Sequence, residues 1–439
     1  MLNDREPDSA RHVVVAGGGI AGAEALLALR ALAGDRVRLT LVTPDDELVL
    51  PPLSVAEAFA LGHAEHQPLS AVLHEAGAEQ VKSRLRSVDP GQRSIELEDG
   101  SRLDYDALVL CVGARPVARV EGATTWWPRG EREGFTGMLR DLEEGYTKRV
   151  AFVIPPGAVW PLPLYELALM TARQVRDMGI DDAELSVITP EAVPLALFGL
   201  QAATVLRDEL RAAGIHLHSA TVARVTAGHP ASIVLQPRTD RLEVDRVIAI
   251  PAVEGPAIPG TEQDQAGFIE VGAGWRMQGS EDVWAAGDAV AYPVKFGGLA
   301  AQQADIIAAE IARAAGAEVT VDNGPLTLQG VMMTGDAPRE LTAATPVQAA
   351  SPMWRPTTKV FGEYLTPFLA RLGGAPTADT RTGTGVEVRL PGPDTDPGAF
   401  HALWPNDEAA LDGLSDDTQE HRRRTEAAGA LLRQHGELS

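Results

Sequence analysis

Residues 17–22 read Gly-Gly-Gly-Ile-Ala-Gly, and no other feature restricts the folding of this chain as tightly. The run contains G-x-G-x-x-G. It follows an apolar stretch, HVVVAG at 12–17, and opens one with the length and composition of a helix, 23–33. In that context each glycine has a physical task. Gly17 permits the tight turn out of the strand, Gly19 lets the backbone approach a pyrophosphate, and Gly22 lets the helix pack closely on the sheet. Ile20 and Ala21 stand between the last two glycines, beside the helix N-terminus whose free N–H groups face the phosphates. A second apolar run, VRLTLV at 37–42, completes a strand–turn–helix–strand order, which predicts parallel α/β structure with both sheet faces covered.

The end of the second strand ordinarily carries an acid for ribose hydroxyls. Here it is Thr43, in LVTPDDE. Either Asp45 or Asp46 takes that role, Thr43 accepts a weaker bond, or the aspartates are ordinary loop residues.

Further along, 93–98 and 102–112 read as strands, the first closed by the turn-forming Asp99-Gly100. The stretch 117–147 reads as irregular and marks a crossing to a second α/β unit. That unit has strands at 149–154, 184–189, 215–218 and 243–250, and helices at 164–177 and 200–213. The first type of sequence then returns, with strands at 268–271 and 282–286 and a helix at 299–314. This order predicts an α/β protein with two Rossmann-like dinucleotide-binding domains, one inserted in the other, plus a C-terminal α+β domain. The expected boundaries are 1–116 with 250–315 for the discontinuous domain, 117–249 for the insert, and 316–380 for the C-terminal domain with a helix at 359–371. An acidic tail or cover follows at 381–439, with a polar helix at 417–434.

A second motif, VWAAGDA at 283–289, sets Gly287-Asp288 just after an apolar strand. A carboxylate there suits a ligand rich in hydroxyls, or caps the segment that follows. With GGGIAG and the turn LVLCVGARP at 108–116, the arrangement resembles the two-dinucleotide-binding-domain flavoproteins, in the branch of type II NADH dehydrogenases and sulfide:quinone oxidoreductases. The resemblance covers roughly residues 12–370. It implies FAD as cofactor, with its pyrophosphate on Gly17, Gly19 and Gly22. Val112, Gly113, Ala114 and Arg115 would form the turn beside it, Asp288 would bond its ribityl or pyrophosphate-side oxygens, and Pro52 would lie in the loop that passes beside the isoalloxazine. PVKFGGLAAQQA at 293–304 resembles the segment beneath the flavin in this branch. It implies Lys295 as a positive charge near reduced flavin, backbone N–H groups at Gly298 and Leu299 facing the ring edge, and Gln302 bonding the ring or capping the helix. A solvated surface lysine is the plain alternative for Lys295.

The inserted unit has no second glycine cradle. It reads IPPGAVWPLPLYELALM at 154–170. Pro155 and Pro156 lack N–H donors and cost the loop its anion-binding character. Trp160 adds bulk as a lid or core filler, while Glu166 survives as the acid often found just after the family's second motif. NAD(P)H is thus the donor the resemblance implies and the loop opposes. Trp160, Tyr165 and Trp126-Trp127 are candidate aromatic walls for a small substrate.

Composition limits the chemistry. Cys111 is the single cysteine in 439 residues, which excludes a dithiol redox pair, an internal disulfide and a multi-thiolate zinc site. Within an apolar strand it reads as a buried structural thiol. The histidines form no close metal motif. Asp plus Glu is 61 against 38 Lys plus Arg, a net charge of −23, which repels nucleic acid and anionic membranes. No apolar run reaches the length of a membrane span, and the polar start is unlike a signal peptide. The expectation is a cytoplasmic FAD-dependent oxidoreductase that passes electrons from a reductant to a quinone or other small organic acceptor. Two alternatives stand beside it: a flavin oxidoreductase acting directly on a small substrate without nicotinamide, and a flavin-binding interaction module. A homodimer is compatible with the sequence.

Overall fold

A computed structural model describes residues 10–341, apart from 131, 132, 159, 329, 337 and 338, together with 362–373, 388–390 and 393. The first strand, β1 (Arg11–Ala16), carries five consecutive buried residues. Helix α1 (Ile20–Ala33) follows and ends at Gly34, whose positive φ of 57° closes it. Strands β2 (Val37–Val42) and β4 (Ala107–Leu110) flank β1, and β3 (Ala78–Val81) pairs with β2, all parallel. Every residue of β4 is buried, as a strand covered on both faces requires.

A second parallel sheet is built from β5 (Thr124–Thr125), β6 (Arg149–Val153), β7 (Glu184–Ile188), β8 (His216–His218) and β9 (Arg246–Ala249), in the spatial order β5-β9-β6-β7-β8. Helix α2 (Leu162–Asp177) links β6 to β7, and α3 (Gly199–Ala212) precedes β8. The chain then returns to the first sheet through β10 (Val283–Ala285), whose partner is β4. That sheet has the order β10-β4-β1-β2-β3. Helix α4 (Gly297–Ala314) comes next, and its packing partner is α1. The molecule is therefore an α/β fold with two parallel Rossmann-like sheets.

Four expectations change. The irregular stretch 117–147 contains a helix, Glu133–Glu143, that buries Phe135, Met138, Leu139 and Leu142. The run 102–112 breaks at Tyr105-Asp106 because the Asp106 carboxylate accepts the His12 N–H at 2.9 Å. Arg102–Asp104 therefore joins a hairpin with Ser94–Leu97, while β4 enters the parallel sheet. The run 243–250 divides the same way at Asp245, which accepts the N–H groups of Lys148 and Arg149 and pairs with the Arg149 guanidinium at 2.8 Å. Residues 268–271 make only isolated bridges, from Ile269 and Val271. Of the helix expected at 359–371, residues 359–361 lie outside the described residues, 362–364 form a turn, and the helix itself is α5 (Leu365–Gly373). The helix at 417–434 and nearly all of the acidic tail lie outside the described residues.

Candidate active site

The C-terminal ends of β1, β2, β4 and β10 open on one cavity of about 630 Å³, within the usual range for cofactor sites. Backbone bonds fix its floor. The Gly17 N–H donates to Val42 O at 2.9 Å, the Cys111 N–H to Ala16 O at 2.7 Å, and the Ala286 N–H to Leu110 O at 3.0 Å.

The glycines divide by role. Gly17 has φ of 112°, and a Cβ there would stand 2.2 Å from Cys111 O. A Cβ on Gly22 would stand 1.9 Å from Gly17 O. Both positions are sealed by backbone. Gly19 differs: nothing lies within 4 Å of a Cβ built there, and Gly19 lines the cavity with Ile20 and Ala21. No side chain caps this end of α1. Its first N–H groups are left to a ligand, which is the geometry a bound pyrophosphate needs. On this observation the residues present fit a dinucleotide.

Around that cradle, Thr43 is buried and its Oγ1 accepts the Asp45 N–H at 3.3 Å. Thr43 and Asp45 line the cavity; Asp46 is not among the lining residues and pairs with Lys82. Pro52, Val112, Gly113 and Ala114 also line it. Arg115 does not. It pairs with Glu254 at 3.2 Å in the antiparallel Arg115–Val117 ribbon and is directed away by that partner.

Gly287 takes φ of 76° in a single 3-10 turn, and its N–H donates to Gln303 Oε1 at 2.7 Å. This holds Asp288 on the cavity wall, where burial raises its pKa and Lys295 opposes the rise. Lys295 is no surface lysine. It is 7% exposed, donates to Val290 O, and lies 4.1 Å from the centroid of the Phe268 ring. Burial pushes its amine down to about 8, against the pull of Asp288 and Asp264. Gly298, Leu299 and Gln302 are not lining residues; Gly297 and Ala300 take those places. Gln302 instead clamps Thr327, accepting its N–H at 2.7 Å and donating to its carbonyl at 2.8 Å.

The opposite wall comes from the second sheet and the crossing segment. Trp126, Trp127 and Trp160 line it. Trp160 stacks on Phe296 with centroids 4.5 Å apart and meets Phe198 edge-on at 5.6 Å. Cys111 also lines the cavity, but burial pushes its thiol up to about 12, so it is no thiolate. Among the described residues no three metal-ligating side chains converge.

The loop after β6 is closed upon itself. Ala158 N–H donates to Pro155 O at 3.2 Å, Pro161 caps α2, and the Leu164 N–H donates back to Pro161 O at 2.9 Å. Four prolines, 155, 156, 161 and 163, remove donors where an anion would sit. Tyr165 is not a cavity wall. It is fully buried and donates to Glu191 Oε2 at 2.5 Å. Glu191 follows β7, at the place of a ribose-holding acid. It also accepts from Thr189 Oγ1 at 3.1 Å and from the Leu195 N–H at 2.9 Å, and burial pushes it up to about 7. Glu166 is buried and accepts the Met333 N–H at 2.7 Å. Phe296 and Glu191 were not singled out in the sequence, although Glu191 follows its strand in ITPE much as Asp45 follows β2 in VTPD.

Known proteins place this geometry. Residues 11–149 match the family model described as pyridine nucleotide-disulphide oxidoreductase. The matched stretch takes in the glycine turn, the first parallel strands and the crossing segment. The chain holds a single cysteine, Cys111, and so no cysteine pair, and it spans just under two thirds of the length of the first curated relative that it matches. The sulfide-quinone reductase of Aquifex aeolicus (strain VF5) is 26% identical over 280 residues, 58% of this chain and 62% of that protein. The ferredoxin reductase component of the chlorobenzene dioxygenase of Cupriavidus sp. (strain PS12) is 25% identical over 304 residues, 66% of this chain and 69% of its own. The crystal structure of the sulfide:quinone oxidoreductase from Aquifex aeolicus superposes with a TM-score of 0.66 at 20% identity, covering 75% of this chain and 83% of that one. The fold is shared. No described helix is long and apolar enough to cross a membrane.

Proposed function

We propose that the chain binds one FAD in the cavity above β1, β2, β4 and β10, and oxidises a small substrate directly, without a nicotinamide nucleotide. FAD when bound supplies acceptance of a hydride or electron pair and its return to an acceptor. The chain's own residues do the rest. Gly17 and Gly19 with the open end of α1 would hold the pyrophosphate, and Gly22 lets α1 pack closely enough to present that end. Thr43 and Asp45 would hold the ribose and Asp288 the hydroxyls farther along, while Val112, Gly113, Ala114 and Pro52 would border the ring. Lys295, fixed by Val290 O, brings a positive charge to the wall where reduced flavin gathers negative charge. Trp160 covers the opposite side, held on Phe296.

The observation that carries the exclusion of nicotinamide is the second loop. Its donors are replaced by proline, and the acid after β7 is already spent on Tyr165, Thr189 and Leu195. Residues 1–116 and 250–315 act on this reading as one FAD-binding unit, 117–249 as an inserted unit that supplies the aromatic wall, and 316–380 as a C-terminal domain. The acceptor is a quinone or another small organic molecule; the cavity offers it aromatic and aliphatic walls. Reconstitution tests the base of this proposal. The purified chain should take up FAD to one per chain with a resolved flavin spectrum. A chain that takes up none refutes it.

A further inference from the structure

Two carboxyls meet behind the cradle, between α1 and α4, and neither lines the cavity. Glu24, in the second turn of α1, is fully buried. Asp305, on α4, is its hydrogen-bond partner. Both Glu24 oxygens are taken by the segment that enters α5. Oε1 accepts the Tyr364 N–H at 2.6 Å, and Oε2 accepts the Leu365 N–H at 2.8 Å. The approach is so close that a Cβ on Gly362 would stand 2.3 Å from Glu24 Oε2. Asp305 Oδ1, by contrast, is buried and has no hydrogen-bond partner.

This asymmetry assigns the proton. Two carboxylates in contact in a poorly solvated site cannot both ionise. Glu24 has two N–H donors and the positive end of α5 to hold a negative charge. Asp305 has neither. The other charged groups acting on the pair are themselves acidic: Glu363 faces both, and Tyr364 is adjacent. Arg371 of α5 is engaged by Glu75 at 2.7 Å.

We propose that Glu24 and Asp305 form a one-proton latch that holds helix Leu365–Gly373 against α1 and α4, and that loss of the Asp305 proton releases it. Glu24 is the charged half and Asp305 the neutral donor. The two helices so fastened are those whose N-terminal turns line the cavity. Burial and Glu24 together push Asp305 up to about 9. A group whose pKa is raised in the docked state contributes most in acid, and its contribution is lost as pH rises through that value. Release therefore lies on the alkaline side.

Hydrogen exchange of the full chain tests this, with rates corrected for intrinsic base catalysis. Protection of the peptide 362–373 should fall about tenfold per pH unit between pH 7 and 9, one proton per opening, while β1 keeps its protection. Asp305→Asn keeps a donor toward Glu24 without a titrating proton, and its profile should be flat. Glu24→Gln should loosen the same peptide already at pH 7 and leave β1 unchanged. If Glu24→Gln does not fold, Gly362→Ala, which drives a methyl against Glu24 Oε2, should loosen it instead. A flat wild-type profile, or an Asp305→Asn profile that superimposes on the wild type, overturns the latch.

Discussion

Gly19→Ala should separate cofactor binding from folding. A Cβ at Gly19 meets nothing within 4 Å, and the residue sits at φ −83°, ψ −167°, which alanine adopts without strain. Folding should therefore be unharmed, or gain about 0.4–1 kcal/mol from a stiffer unfolded chain. The methyl would project into the cavity, against the backbone proposed to receive the pyrophosphate. Loss of one charge-assisted N–H bond, worth about 1.5–3 kcal/mol, weakens FAD binding by roughly 10- to 150-fold. Gly22→Ala is the counterpart. Its Cβ would stand 1.9 Å from Gly17 O, so α1 must move off the sheet, and overpacking of this kind costs about 1–3 kcal/mol or more. The assay pairs thermal unfolding of apo-protein with FAD titration by flavin fluorescence. The expected pattern is an unchanged Tm with a raised Kd for Gly19→Ala, and a lowered Tm for Gly22→Ala. A Gly19→Ala protein with wild-type FAD affinity would refute the assignment of the cradle. So would one as unstable as Gly22→Ala.

Lys295→Met removes the buried cation, so the flavin midpoint potential in a dye-equilibration titration should drop, with FAD still bound; an unchanged potential places Lys295 away from the ring. Cys111→Ala should leave the rate of flavin reduction by a small-molecule reductant within a factor of about two, because a thiol pushed up to about 12 carries no thiolate at neutral pH; native protein should likewise resist alkylation that the unfolded chain accepts. Glu191, pushed up to about 7 from 4.5, binds its proton more tightly folded than unfolded. Its contribution to stability is full below about 4.5 and falls as pH rises to 7, by about 3 kcal/mol in all. Glu191→Gln should flatten that part of the stability–pH curve, read by urea unfolding at several pH values.

The glycine turn was legible because it is local. Gly17 turns the chain, Gly22 admits close packing and Gly19 stays open to the cavity, all within six residues, and the Asp99-Gly100 turn is confirmed by a Gly100 φ of 82°. Alternation of apolar strands with helices likewise gave both sheets, since burial on two faces leaves an unbroken apolar run. What failed was decided over distance. Asp106 and Asp245 break strands by accepting N–H groups about 95 residues away, which no local pattern records. Arg115 turns to Glu254, and Gln302 turns to Thr327, through partners that only the tertiary fold brings near. Lys295 was ambiguous for the same reason: a lysine becomes a cavity residue only when Val290 O and the Phe268 ring receive it. The helix Glu133–Glu143 escaped because its charged residues mask a narrow buried face.

The central claim, a working FAD cradle beside a closed nicotinamide site, is tested most directly by anaerobic titration of the FAD-loaded protein with NADH and NADPH. The oxidised flavin spectrum should persist under both nucleotides and bleach with dithionite. Rapid bleaching by either nucleotide would contradict it and would mean that the loop from Pro155 to Pro163 admits a dinucleotide after all.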